Sequence, residues 1–204
     1  MKLWLYRLIN FIARGIFFAL NPRIVSGSGN MPESGGVLIV CNHLHFHDVF
    51  NVASCFRRRV TFMAKKELYE NKFWGYLFKK YGSFPVDREG SSMSAMREAM
   101  HRLKNGEVLV VFPEGTRSKG DEMGEFKEGA ALLAAKTGAH ILPMYINAKG
   151  RFFTRIYVNI GEAFKLPAGK LDSQYLSKNN KLMRDKVLAL RIYDYVPGAK
   201  GLTK

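Results

Sequence analysis

The chain has 204 residues and carries 32 lysines and arginines against 17 aspartates and glutamates, a formal net charge of +15 at neutral pH. With 47% hydrophobic and 13% aromatic residues it is not a disordered polypeptide, and its length is that of one domain with at most a small appendage. The basic excess calls for an anionic partner and leaves nucleic acid, an acidic protein, a phosphorylated substrate and an anionic membrane open. Two cysteines, Cys41 and Cys55, are too few for a disulfide framework or a four-thiolate zinc site, so a reducing compartment is the default.

Residues 1–20 are apolar, but Arg7, Asn10 and Arg14 interrupt them. The interruptions break the apolar stretch that a secretory signal needs, and leave no run of roughly 20 apolar residues for a spanning helix. On a helix these three positions fall within an arc of about 60°, and Leu3, Trp4, Leu5, Leu8, Ile9, Phe11, Ile12, Ile16 and Phe17 cover the rest. The pattern predicts an amphipathic helix in a membrane interface, with the arginines toward headgroup phosphates. The competing reading is a helix buried against the core.

Further along, Val37-Leu38-Ile39-Val40 is a continuous apolar run of the kind found in strands covered on both faces. A helix is predicted over residues 48–56, a strand over 60–63, and a helix over 69–80 ended by Gly82. Ser91 or Ser92 caps a third helix, with Met93, Met96, Met100 and Leu103 on one face and Gly106 as its stop. Val108-Leu109-Val110-Val111-Phe112 is the clearest strand. An alanine-rich helix over 127–137, a strand over 140–146, a Lys149-Gly150 turn and a strand over 152–160 complete the middle. The alternation predicts an α/β fold: a mostly parallel twisted sheet covered by helices, with polar sites at the strand ends. The predicted organisation is a membrane-associating helix over 1–25, a central domain over 26–165, and a C-terminal helical segment with a basic tail over 166–204.

Three of the five histidines lie in Cys41-Asn42-His43-Leu44-His45-Phe46-His47-Asp48, directly after the first buried strand. A general base near neutral pH is most simply a histidine, with a carboxylate taking its second ring proton. His43 and Asp48 fit these roles if the chain bends between them. Metal binding is the rival, since alternate histidines share a face of a strand. A catalytic zinc needs three protein ligands, however, and the remaining histidines are His101 and His140.

After the clearest strand comes Phe112-Pro113-Glu114-Gly115-Thr116-Arg117-Ser118, in which Pro and Gly force a turn that exposes backbone N–H groups beside Arg117. Such a turn can bind an anion. It is not a P-loop, because the required glycine and lysine spacing is absent. Gly82-Ser83-Phe84-Pro85-Val86-Asp87-Arg88 is a short extended run ending in a cation, and Lys65-Lys66 by themselves read as a solvated pair.

Taken in order, Asn42-His43 with Asp48, the run ending at Arg88, the turn from Phe112 to Ser118, and Ile141-Leu142-Pro143-Met144-Tyr145-Ile146 resemble the four blocks of the glycerolipid acyltransferases, most nearly the bacterial 1-acylglycerol-3-phosphate acyltransferases. The resemblance spans about residues 30–165. It implies that His43 is the general base for the acceptor hydroxyl and Asp48 its orienting partner. It also implies direct attack on an acyl thioester, which agrees with the lack of an evident Ser or Cys nucleophile. Arg88, Glu114, Gly115, Thr116 and Arg117 are the positions implied to hold the acceptor's glycerophosphate, and Lys65 joins them.

Pro143 is implied to be architectural or to shape the acyl site. The implied donor is acyl-CoA or an acyl-acyl-carrier-protein, the acceptor lysophosphatidate, and the product phosphatidate. No cofactor or metal is implied. The implied location is the cytoplasmic face of the cell membrane, peripheral or monotopic, on an anionic surface.

Three alternatives stay open at this point. The acceptor could be glycerol 3-phosphate or another lysolipid, the site could be a zinc metallo-hydrolase, or the chain could be a basic membrane- or nucleic-acid-binding module. No nucleic-acid-binding motif is present, so no nucleic-acid partner is expected. The basic clusters Arg57-Arg58-Arg59 and Lys79-Lys80 are expected to be free for membrane or an acidic acyl carrier.

Overall fold

A computed structural model describes residues 8, 11, 12, 15, 22–45, 47–86, 92–118, 123–147 and 155–192. Its centre is a seven-stranded sheet built from β1 (Arg23–Ser26), β2 (Val37–Cys41), β3 (Val60–Lys65), β4 (Ser83–Val86), β5 (Val108–Val111), β6 (His140–Asn147) and β7 (Ile156–Ile160), in the spatial order β1-β7-β6-β2-β5-β3-β4. All neighbours are parallel except β6 and β7. Among the described residues it is accompanied by α1 (Asp48–Ala53), α2 (Lys72–Tyr81), α3 (Ser92–Lys104), α4 (Gly129–Thr137) and α5 (Ser173–Leu188).

The continuous apolar runs are strands because both of their faces are covered. Leu38, Val40, Leu109 and Val111 pack with Ala99 and Leu103 of α3, Ala131 and Leu133 of α4, and Met183 and Val187 of α5. The alternate residues Val37, Ile39, Cys41, Val108 and Val110 pack on the other side with Val52 and Ala53 of α1 and with Tyr81. The α/β class read from the sequence is therefore the observed one.

Several boundaries differ. β1 runs across the boundary expected between residues 25 and 26, so the sheet begins at Arg23. Its Arg23 guanidinium donates to Ser54 Oγ at 2.6 Å and to Asn51 Oδ1 at 3.3 Å, which ties this edge strand to α1. α1 ends at Ala53, and Phe56 is instead a buried core residue. α2 starts at Lys72 because Asn71 caps it, accepting from the N–H groups of Phe73 and Trp74, while Lys66–Tyr69 forms a separate 3-10 turn.

On α3, Ala99 and Leu103 are buried but Met93 is exposed. The C-terminal segment does not stand apart: Met183 and Val187 of α5 are fully buried in the core, and Asn147 Oδ1 accepts from the Ile192 N–H at 2.9 Å. Residues 1–7, the Lys149-Gly150 turn and the basic tail beyond residue 192 lie outside the described residues.

Candidate active site

Because β2, β5, β3 and β4 are parallel neighbours, their carboxyl ends open on one side of the sheet. The segments that follow β2 and β5 meet there, since Val40 is in register with Val111. This is where ligands bind in open parallel sheets.

β2 hands over to the site through Asn42. Its side-chain oxygen accepts from the Ile146 N–H at 2.8 Å, and its amide donates to the Ile146 carbonyl at 3.0 Å. The side chain thus extends the β2–β6 pairing by one rung after the main chain has turned away.

His43 comes next, half-buried, with Nδ1 3.0 Å from Asp48 Oδ2. Asp48 is 0% exposed, and the same oxygen accepts from the Leu44 and His45 N–H groups, each at 2.7 Å. These donors satisfy Oδ2 and offset part of the cost of burying the carboxylate, whose other oxygen, Oδ1, is buried without a hydrogen-bond partner among the described residues. A turn in which the Asp48 N–H donates to the His45 carbonyl at 3.1 Å brings together two side chains that no regular helix spacing would align. The His43 ring also stacks on Phe112, with centroids 4.1 Å apart and planes 18° from parallel. With Nδ1–H directed at the carboxylate, Nε2 carries the lone pair and is the nitrogen able to take a proton.

The turn after β5 clamps His43 by its backbone. Glu114, buried, accepts from the His43 N–H through Oε1 at 3.2 Å, and through Oε2 from Ser118 Oγ at 2.7 Å and the Gly124 N–H at 2.9 Å. The Ser118 N–H donates to the His43 carbonyl at 2.8 Å. Further back, Arg184 of α5 donates to the carbonyls of Met123 and Gly124. A line of support therefore runs from α5 through residues 123–124 and Glu114 to His43.

Glu114 spends its oxygens on the loop, so its geometry is that of a residue that shapes the turn. Gly115 has a φ of 75° and lies against Lys127, whose Nζ would be 2.7 Å from an added Cβ. Thr116 and Arg117 are exposed at the mouth.

Lys65 ends β3 at this side of the sheet, opposite Val86 of β4, and is exposed. Arg88 lies outside the described residues. Cys41 is no rival nucleophile: its thiol is fully buried, and burial foremost, then the Asp48 charge, pushes its pKa well up and keeps it protonated. His45 and His47 stack on each other with centroids 5.1 Å apart, and among the described residues no group of three or more His, Cys, Asp or Glu is arranged to hold a metal ion.

Phe112 as the platform for the ring, Asn42 as the rung, and Lys127 beside the turn were not singled out from the sequence. Each lies within or next to a segment that was. The Arg57-Arg58-Arg59 cluster needs a correction. The Arg58 guanidinium donates to the carbonyls of Pro32, Gly35 and Gly106 at 2.7, 2.7 and 2.8 Å. It is committed to the amino-terminal end of the sheet, away from the site.

A histidine held by a buried carboxylate, on the carboxyl end of a parallel sheet and clamped by the turn after β5, is the centre of an α/β acyltransferase domain. The family model described as Acyltransferase matches residues 23–147, from β1 to the end of β6, and the chain belongs to that family.

Among its relatives, the 1-acyl-sn-glycerol-3-phosphate acyltransferase of Bacillus subtilis is 36% identical over 115 residues, covering 56% of this chain and 57% of that protein. The enzyme of the same name from Helicobacter pylori is 34% identical over 133 residues, covering 64% of this chain and 56% of that protein. The chain thus matches little more than half the length of these two relatives. The crystal structure of the 1-acyl-sn-glycerophosphate acyltransferase of Thermotoga maritima superposes with a TM-score of 0.72 at 27% identity, over 91% of this chain and 80% of that one.

Proposed function

We propose that this protein transfers a fatty acyl group from an acyl thioester, acyl-CoA or an acyl-acyl-carrier-protein, to the free hydroxyl of 1-acylglycerol 3-phosphate, and so makes phosphatidate for phospholipid synthesis. The names of its relatives support the acceptor and the reaction. The observation that carries the chemistry is the His43–Asp48 pair at 3.0 Å, which leaves His43 Nε2 as the base.

His43 Nε2 takes the proton of the acceptor hydroxyl as its oxygen attacks the thioester carbonyl carbon. The C–O bond forms, the tetrahedral intermediate collapses, the C–S bond breaks, and the imidazolium returns the proton to the departing thiolate. Asp48 stabilises the transient imidazolium and keeps the ring in the required tautomer. No acyl-enzyme is needed, which agrees with the protonated, buried Cys41 thiol and with Ser118 Oγ donating to Glu114.

Arg117, Thr116 and the Gly115 turn, with Lys65 and Arg88, hold the acceptor phosphate, and Glu114 contributes by shaping that turn. The N-terminal helix lies in the interface of an anionic membrane on its cytoplasmic face. In support, Leu8, Phe11 and Ile12 are helical and exposed, and among the described residues no helix is long and apolar enough to cross a membrane.

The test is acyl transfer by the His43→Ala protein, with lysophosphatidate in vesicles and each thioester donor in turn. A loss of about 10²–10⁴-fold is expected with the melting temperature kept. Substantial retained activity in a folded protein would remove His43 from this role. Assaying glycerol 3-phosphate and other lysolipids alongside decides the acceptor.

A further inference from the structure

Helix α2 presents its aromatic residues outward. It buries only Gly75 and Tyr81, while Phe73, Trp74 and Tyr76 are 65%, 54% and 58% exposed. An ordinary surface helix turns its large apolar side chains to the core. Here the inward place is taken by Gly75, where an added Cβ would come within 2.8 Å of the Tyr69 carbonyl, so the backbone of the 3-10 turn lies directly on the helix. At about 100° per residue, Phe73 then points almost opposite to Gly75, with Trp74 and Tyr76 on either flank.

The display is preformed. Asn71 accepts from the N–H groups of both Phe73 and Trp74 at 3.1 Å, and the two rings pack edge to face with centroids 5.4 Å apart. Leu68 of the 3-10 turn is also exposed.

The surroundings are cationic. Residues 65–81 hold five lysines against two glutamates, Glu67 and Glu70. Lys80 Nζ lies over the Tyr76 ring, 5.1 Å from its centroid, a cation–π contact that sets a positive charge beside the exposed aromatic residues. The position is also informative. The 3-10 turn and the start of α2 follow β3 at the carboxyl end of the sheet, the end that carries His43 after β2. Only β5 separates β2 from β3, so the two strands are about 10 Å apart.

We propose that Phe73, Trp74, Tyr76 and Leu68 insert into the interface of an anionic bilayer, with the lysines on headgroup phosphates, as a second membrane contact that holds the carboxyl end of the sheet, and His43 with it, toward the lipid. Aromatic rings at an interface and lysines at an anionic surface are each favourable there, and stable anchoring takes two signals rather than one. Rings fanned over about 160° of one helix suit a fluid lipid phase better than a rigid protein surface. The inference rests on the membrane reading above, and the experiment separates the two.

The chain has two tryptophans, Trp4 and Trp74, so Trp4→Phe in the full-length protein leaves Trp74 as the sole reporter. With phosphatidylglycerol–phosphatidylcholine vesicles, Trp74 emission is expected to shift to the blue and to lose most of its intensity when the lipids carry brominated acyl chains. Cosedimentation with an unshifted, unquenched Trp74 overturns the second contact and leaves the membrane reading standing; no cosedimentation overturns both. A shift produced without vesicles, by an acyl carrier protein or by raising the protein concentration, assigns the patch to a protein partner or a second copy and likewise overturns the proposal.

The triple variant Phe73→Ser, Trp74→Ser, Tyr76→Ser checks it from the other side. These exposed changes spare the core, and partition onto the vesicles is expected to weaken about tenfold. Activity on vesicle-borne lysophosphatidate is expected to fall, and activity on a short-chain, water-soluble lysophosphatidate to stay unchanged. Undiminished partition by a folded variant overturns the inference.

Discussion

One oxygen of Asp48 holds His43 and the two residues after it: Oδ2 accepts from the His43 ring at 3.0 Å and from the Leu44 and His45 N–H groups at 2.7 Å each. The carboxylate therefore sets both the ring orientation and the turn that presents it. Asp48→Asn keeps an oxygen for the ring and the N–H groups but loses the charge that stabilises the imidazolium, with its NH2 in the buried Oδ1 position, which has no hydrogen-bond partner among the described residues. The acyl-transfer kcat is expected to fall about 10²–10⁴-fold, with the acceptor KM and the melting temperature close to those of the parent. A kcat within a few-fold of the parent would argue that the pair is structural only.

Glu114 is the second point of control. Its removal in Glu114→Ala leaves the His43 and Gly124 N–H groups and Ser118 Oγ without their acceptor. The expected destabilisation is about 2–3 kcal/mol by urea unfolding. Because one loop positions the base while the same loop carries Thr116 and Arg117, kcat and acceptor KM should worsen together. An altered KM with unchanged stability and kcat would instead mark Glu114 as a direct substrate contact.

The parts of this molecule visible in its sequence are those governed by short-range pattern. Val37-Leu38-Ile39-Val40 and Val108-Leu109-Val110-Val111 read as buried strands because helices cover both faces of the sheet, and such strands have no polar alternation to disguise them. β1 escaped notice because four residues of an edge strand, Arg23-Ile24-Val25-Ser26, alternate too briefly to register. The His43–Asp48 pair was suggested by residue chemistry but singled out by resemblance, since a five-residue spacing matches no helical or strand face. What holds it was not legible: Glu114 lies 71 positions from the N–H it accepts. The outward aromatic face of α2 depends on Gly75 meeting the Tyr69 carbonyl, a packing relation that helical periodicity does not encode.

Arg58 separates charge from location. Burial lowers its guanidinium pKa, and its three carbonyl partners cap the amino-terminal side of β2 and β5. Arg58→Leu is expected to lower stability by about 2 kcal/mol while leaving vesicle partition unchanged. A loss of vesicle binding at full stability would return this arginine to the membrane surface.

Asn42 joins β2, the strand that leads into the site, to its neighbour β6. In Asn42→Leu the Ile146 N–H and carbonyl lose both partners in a fully enclosed setting, at an expected cost of about 2–4 kcal/mol. His43 follows directly, so activity should fall even at temperatures where the variant remains folded. Equal unfolding midpoints for variant and parent would show that this rung is not needed.

His47 gives the fold a pH dependence. Burial foremost holds its pKa below the ordinary 6.5; the Asp48 charge opposes this and His45 adds to it. The unfolded chain therefore binds the proton at a higher pH than the folded one. The His47 contribution is fully present above about pH 6.5 and is lost as the pH falls from there through the lowered folded-state value. Other groups titrate in the same range, so the informative quantity is the difference between parent and His47→Gln. Urea midpoints taken at about pH 7.5, 6.5 and 5.5 should fall more steeply for the parent, and the gap between the two should change only at the acid end. Parallel curves would mean that His47 takes up its proton in the folded protein as readily as in the unfolded chain, and that its stacking on His45 does not oppose the charge.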